Sequence, residues 1–264
     1  MIAAELARQS ELDQVVDQAT PSAALADDLF AVVGLLEQHS QLRNALADPT
    51  ASVAARQALV ATIVEKRVGK AAAKIVAAAA ASWWESGLAL VAALERQGER
   101  VLIEASRREK GLDRVEDELF RFERTVAAND DLRVAIENRN VDLARREALV
   151  ADLLEGKVDP VTRQLAVRAV AVRGRTYALT VQAMLALAAQ ARQRAIAQVT
   201  VARPLSAKQA KRLGTALAAQ VGSAVSLEIV VDPAVLGGVR VRVGDELIDG
   251  TVLGRLDAAT RQLN

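Results

Sequence analysis

Two stretches of this chain repeat each other ninety residues apart. Leu29-Phe30 returns as Leu119-Phe120, Leu42-Arg43 as Leu132-Arg133, and Ala58-Leu59-Val60-Ala61 as Ala148-Leu149-Val150-Ala151. Ala45 and Ala135, Arg56 and Arg146, and Glu65 and Glu155 fall in the same register, with no gap. Ser52 aligns with Asp142, so both copies place a residue type that caps helices at the same helix start. Self-similarity at a fixed offset means a duplicated structural unit, and this offset is long for a solenoid repeat. It suits two copies of a small bundle, with residues 25–68 and 115–158 as equivalents.

The copies read as helices. Leu25, Leu29, Val32, Val33 and Leu36 recur at helical spacing over residues 23–39, and a first helix over residues 1–19 ends at Thr20-Pro21-Ser22. A short helix over residues 42–46 leads to a turn at Asp48-Pro49-Thr50. Ser52 then caps a helix whose inner face is Leu59, Val60, Ile63 and Val64. The chain is 52% hydrophobic, much of it alanine, and only 2% aromatic. Alanine is the best helix former, so this composition favours an α body with an aliphatic core. Between the copies, residues 84–124 are almost entirely helix-compatible, with kinks expected at Gly98 and Gly111. The last helix of copy one is therefore expected to run into the first of copy two, giving a stiff elongated molecule.

From residue 195 the pattern changes. Ala195–Val201 reads as a strand. Pro204 stops it, Ser206 caps a helix over Ala207–Val221, and Gly222 ends that helix. Two alternating runs follow. Leu227, Ile229 and Val231 share one face, and so do Val239, Val241 and Val243. Asp232-Pro233 breaks the first run, since proline cannot donate to a ladder. Gly237-Gly238 allows a turn or bulge. Gly244-Asp245 has the length of a two-residue hairpin loop. The valines are expected to pack on Ala210, Leu213, Leu217 and Val221.

The string Asp232-Pro233-x-x-Leu236-Gly237-Gly238, the alternating valines, and Gly244-Asp245-x-x-Ile248-Asp249-Gly250-Thr251 resemble the C-terminal signature of the delta subunit of F-type ATP synthases, the oligomycin-sensitivity-conferring protein family. Pro204, Ser206, Gln209, Leu213, Leu217 and Gly222 fit the same pattern. The resemblance assigns these residues a structural part. It implies a fold that is mainly α with a small C-terminal α+β domain: two tandem helical bundles and then a short mixed sheet with helices. Residues 1–95 would be an extra bundle, 96–194 the family's N-terminal bundle, with Arg173-Gly174-Arg175 at its Gly-Arg turn, and 195–264 the C-terminal domain. The chain resembles an extended form of the family in which the bundle is duplicated.

Sites of chemistry are sparse. Mixed charge and a formal net of +1 argue against a nucleic-acid face. With no cysteine, disulfides and thiolate metal sites are excluded. No apolar run reaches the roughly 20 residues that span a bilayer. Met1 is followed by Glu5, Arg8 and Glu11 rather than by a signal-peptide pattern. There is no phosphate-binding glycine loop. His39 is the sole histidine, read either as part of a catalytic dyad or as a solvent-facing residue at a helix end. Asp232, Asp245 and Asp249 could together hold a metal, or each could bond its own backbone at a turn. Trp83-Trp84 reads either as an anchor for a partner helix or as one core and one half-exposed residue on adjacent helix positions.

The resemblance therefore implies a non-catalytic subunit of the peripheral stalk, without cofactor. One copy per complex would grip the N-terminal helices of the alpha subunits and receive the b stalk, peripheral to the cytoplasmic side of the cell membrane. The first helix of the family bundle often carries an Arg-x-Tyr-Ala-like run. Here the matching stretches are Arg100-Val-Leu-Ile-Glu-Ala105 and Glu5-Leu-Ala-Arg-Gln-Ser10, so no single alpha-contacting residue carries over. The other reading is a free-standing helical adaptor for unrelated partners.

Overall fold

The computed structural model describes residues 2–192, 195–221, 225–233, 235, 238–243 and 246–249. The chain divides into two compact units, one ending at Ala191 and one beginning at Arg192.

The first unit is built from α1 (Ile2–Val16), α2 (Ala23–Gln38), α3 (Ser40–Ala47), α4 (Val53–Ile63), α5 (Lys70–Ala81), α6 (Gly87–Arg108), α7 (Leu112–Ala127), α8 (Asp130–Glu137), α9 (Leu143–Leu154), α10 (Pro160–Ala171) and α11 (Tyr177–Arg192). The repeat governs its layout. Helices α3 and α8, α4 and α9, α5 and α10, and α6 and α11 start ninety residues apart. Val60 and Val150 are buried at the same place in their helices, and Leu59 and Leu149 pack half-buried beside them. The inner face of α4 is thus Val60 and Val64, with Leu59 and Ile63 at its margin.

A long-range hydrogen bond is duplicated as well. Asp28 Oδ2 on α2 accepts from Gly69 N at the start of α5, at 2.8 Å. Its counterpart Glu118 on α7 accepts from Asp159 N at the start of α10, at 2.7 Å, and also from Thr162 Oγ1. In each copy a carboxylate takes up an orphan donor at a helix N-terminus, where the macrodipole also favours it. The caps differ between copies. Ser52 Oγ accepts from Ala55 N at 3.2 Å, whereas the Asp142 side chain makes no capping bond.

Helix α6 is the hub. It packs against α1, α2, α3 and α5 on one side of the chain order and against α7 and α10 on the other. Its 22 residues run unbroken through Gly98, so the kink expected there does not form. The reason is contact: Phe30 of α2 lies directly over Gly98, and a Cβ would drive into its ring. The helix ends instead at Glu109. Gly111 N reaches back to Ser106 O at 2.8 Å and Lys110 N to Arg107 O at 3.1 Å, with Lys110 at φ 61°. That pairing is a Schellman motif with lysine at the left-handed position usually held by glycine.

The Trp83-Trp84 pair does not lie on a helix, as the sequence reading assumed, but in the link between α5 and α6. Trp84 turns inward and donates its Nε1–H to Ala79 O at 2.7 Å. Trp83 is half exposed, with the Arg8 guanidinium 5.0 Å from its ring centroid. His39 sits exposed at the junction of α2 and α3.

The second unit holds β1 (Ala195–Val201), α12 (Ala207–Val221), β2 (Val225–Val231), β3 (Val239–Val243) and β4 (Glu246–Asp249) in the order β2-β1-β3-β4. Strand β1 pairs parallel with β2 through the α12 crossover and antiparallel with β3, placing Val199 beside both Ile229 and Val241. Ala197, Val199, Val201, Val241 and Leu217 form a small core, flanked by Leu213, Val239 and Val243. Of the four α12 residues expected under the valine face, Leu213 and Leu217 join this core, while Ala210 and Val221 do not. Val225 and Leu227 of β2 also pack half-buried against that core, while Ile229 and Val231, farther along the same face, are 40% and 45% exposed.

Candidate functional site

The signature residues build a scaffold rather than a catalytic cluster. Pro204 lies exposed in the link from β1 to α12. Behind it, Ser206 and Gln209 form a capping box: Gln209 N donates to Ser206 Oγ at 3.3 Å, and Gln209 Oε1 accepts from Ser206 N at 2.8 Å. Asp232 N donates to Val201 O at 2.9 Å, and its own carbonyl accepts from Val235 N at 3.1 Å. This ties the end of β2 to β1 and turns the chain at Pro233 toward β3. Gly238 takes φ 82°, a region that only glycine enters without strain. Ile248 pairs with Val241 and Asp249 with Arg240, and Val243 opposite Glu246 leaves two residues for the connection. Leu236, Gly237, Gly244, Asp245 and Gly250, like Gly222 and Thr251, lie outside the described residues.

The edge strand leaves apolar side chains open. Ile229 and Val231 on one face and Val230 on the other are each at least 40% exposed, and β2 ends the sheet among the described residues. A terminal strand with unpaired backbone groups and exposed aliphatic side chains is a ready docking edge.

Sequence reasoning missed a polar network inside the first unit. Asp13 of α1 receives a bidentate contact from Arg96 of α6 at 2.6 and 3.1 Å, and Gln97 adds a third bond at 2.8 Å. Arg100 reaches Asp17 at 2.5 Å. Next to Arg96 on the same helix, Glu95 binds Arg168 of α10 at 3.0 and 2.5 Å, and the Arg168 guanidinium lies 4.6 Å over Phe30. Burial pushes the Glu95 carboxyl above its ordinary value, and Arg168 only partly offsets it. Glu99, one turn on, is buried without such a partner, and burial with the nearby Glu95 charge pushes it up to about 8. Asp13 is held below its ordinary value: burial opposes this, but its bonds to Arg96 and the charge of Arg100 prevail. The signal in sequence was the charge-rich middle of α6, which reads as a solvated face until a second bundle covers it.

Among the described residues, no helix is long and apolar enough to cross a membrane. Residues 100–263 match the family model of the ATP synthase delta (OSCP) subunit. Over 259 residues the chain is 40% identical to ATP synthase subunit delta of Streptomyces griseus, covering 97% of this chain and 96% of that protein. The same-named subunit of Streptomyces avermitilis is 40% identical over 98% of this chain and 96% of its own length. That of Salinispora arenicola is 41% identical over 96% and 93%. These relatives also match residues before 100, which the family model leaves unmatched.

Proposed function

The chain belongs to the delta (OSCP) subunit family of F-type ATP synthases, a component of the peripheral stalk, and on that premise we propose that its work is mechanical and non-catalytic. The helical unit grips the N-terminal helices of the alpha subunits at the top of the catalytic head. The C-terminal domain receives the distal end of the b stalk. Torque from the central shaft then drives conformational change in the head instead of spinning it. In this reading one copy serves each complex, peripheral to the cytoplasmic side of the membrane. Residues 1–95, 96–194 and 195–264 act as extra bundle, family bundle and C-terminal domain, with α6 crossing the first boundary. The signature residues hold the sheet that presents the b surface.

The observation that carries the b assignment is the exposed aliphatic run of β2 in the signature domain. Val230 is 49% exposed, so Val230→Glu should change folding stability by no more than about 0.5 kcal/mol, as usual for surface sites. Membranes carrying it are expected to hydrolyse ATP yet pump protons poorly, with the head easily lost. Normal pumping with the glutamate in place would remove β2 from the b interface.

A further inference from the structure

The two copies differ where each turns from its fifth helix into its sixth. In copy one that link is Trp83-Trp84-Glu85. At the same register copy two has Arg173-Gly174-Arg175. The register holds across the link, because α5 and α10, and then α6 and α11, start ninety residues apart. Trp84 covers the C-terminal end of α5, bonded to Ala79 O. Gly174, with φ 81°, brings no side chain to the matching end of α10, and the next aromatic, Tyr177, turns into the core and donates to Ala166 O. A cavity of about 600 Å³ lies there. That is the size of a side-chain or small-ligand pocket rather than of a whole helix.

Its floor is apolar, from Ile136, Leu143, Val170 and Tyr177. Its rim is basic, from Arg139, Arg146, Arg173 and Arg175. Three of these charges are peculiar to copy two, since the counterparts of Arg139, Arg173 and Arg175 are Pro49, Trp83 and Glu85. Arg146 is engaged, donating to Ile136 O at 3.2 Å and Val141 O at 3.1 Å. Arg173 makes only a loose pair with Glu37, at 3.8 Å. Arg139 and Arg175 have no ion pair within 4 Å among the described residues. The one carboxylate of the lining, Glu137, is taken up by the Tyr177 backbone N–H at 2.8 Å.

We propose that this cavity is a socket for an acidic segment of another protein, one that seats an apolar side chain on the floor and presents carboxylates to Arg139, Arg173 and Arg175. Charge complementarity selects the partner: guanidinium forks pair with carboxylates bidentately, and an apolar floor calls for an anchor that a free anion lacks. The socket is separate from the β2 edge and does not depend on the b assignment.

Leu179 lines the cavity and is 54% exposed, so a photo-crosslinking benzoyl-phenylalanine there faces the occupant. The expected result, in the purified intact complex, is a crosslinked peptide from another subunit with an apolar residue flanked by Asp or Glu. Arg139→Glu with Arg175→Glu should lower the yield about tenfold or more, the scale of losing close charge pairs. The complex should still assemble, and the chain's melting temperature should be unchanged. Association is scored separately on the unmutated chain: its failure to co-purify with ATP synthase subunits would count against the stalk reading and not against the socket. A crosslink to lipid, to a peptide without acidic residues, or to no protein would overturn the proposal. So would a yield that the charge reversal leaves unchanged.

Discussion

At the scale of single residues, Gly98 shows how a position can be fixed by its neighbour rather than by its own backbone. Alanine would be the better helix former by about 1 kcal/mol, yet its Cβ would collide with Phe30. Gly98→Ala is therefore expected to destabilise by about 1–3 kcal/mol, as overpacking does. Adding Phe30→Leu should recover part of that loss in urea melts. Glu99 makes the opposite kind of prediction. Its folded value near 8 lies above its ordinary 4.5, so between those values the folded state holds a proton that the unfolded state has released. Stability from this group is then complete below about pH 4.5 and is lost as pH rises toward 8, by on the order of a few kcal/mol. Glu99→Gln should flatten that slope and raise the melting temperature at pH 8. A variant that melts with the wild-type pH dependence would show that Glu99 is not the group responsible.

At the scale of elements, the repeat makes paired predictions. Val60 and Val150 are both buried, and Leu59 and Leu149 are both half-buried. Val60→Ala and Val150→Ala should each cost about 1–3 kcal/mol from lost methyl burial and the cavity left behind. Leu59→Ala and Leu149→Ala should cost less than full core truncations, about 1 kcal/mol each. Unequal costs within either pair would mean that α4 and α9 are not equivalent. Helix α6 breaks the symmetry of two separate bundles. It serves as the last helix of one copy and the first of the next, and that position buries Glu95, Glu99 and Arg100. Such charges are tolerated only when paired or neutralised. Asp13, Asp17 and Arg168 supply the pairing, and proton uptake by Glu99 supplies the rest.

At the scale of the whole molecule, family membership and the lack of a crossing helix among the described residues lead to one expectation. The chain should leave the membrane together with the catalytic head on washing with low salt and chelator, as followed by immunoblot. Recovery only in detergent, with the chain expressed alone, would contradict a peripheral attachment.

Much of this molecule was legible in its residues. The ninety-residue register, the helical spacing of the leucines and valines, and the alternation of β3 are local periodicities, and local periodicity sets element type and inner face. The signature from Asp232 to Thr251 was legible for the same reason, since residues such as Pro233 and Gly238 act on their own backbone. Tertiary structure alone decided the rest. It moved the tryptophans off any helix, kept Gly98 straight beneath Phe30, and left Ile229 and Val231 only half covered. Each of these depends on which distant face arrives, and a periodicity carries no information about its partner. The same holds for the arginine-rimmed cavity. Its residues come from four helices and the two links between them, and only their meeting makes a basic rim around an apolar floor.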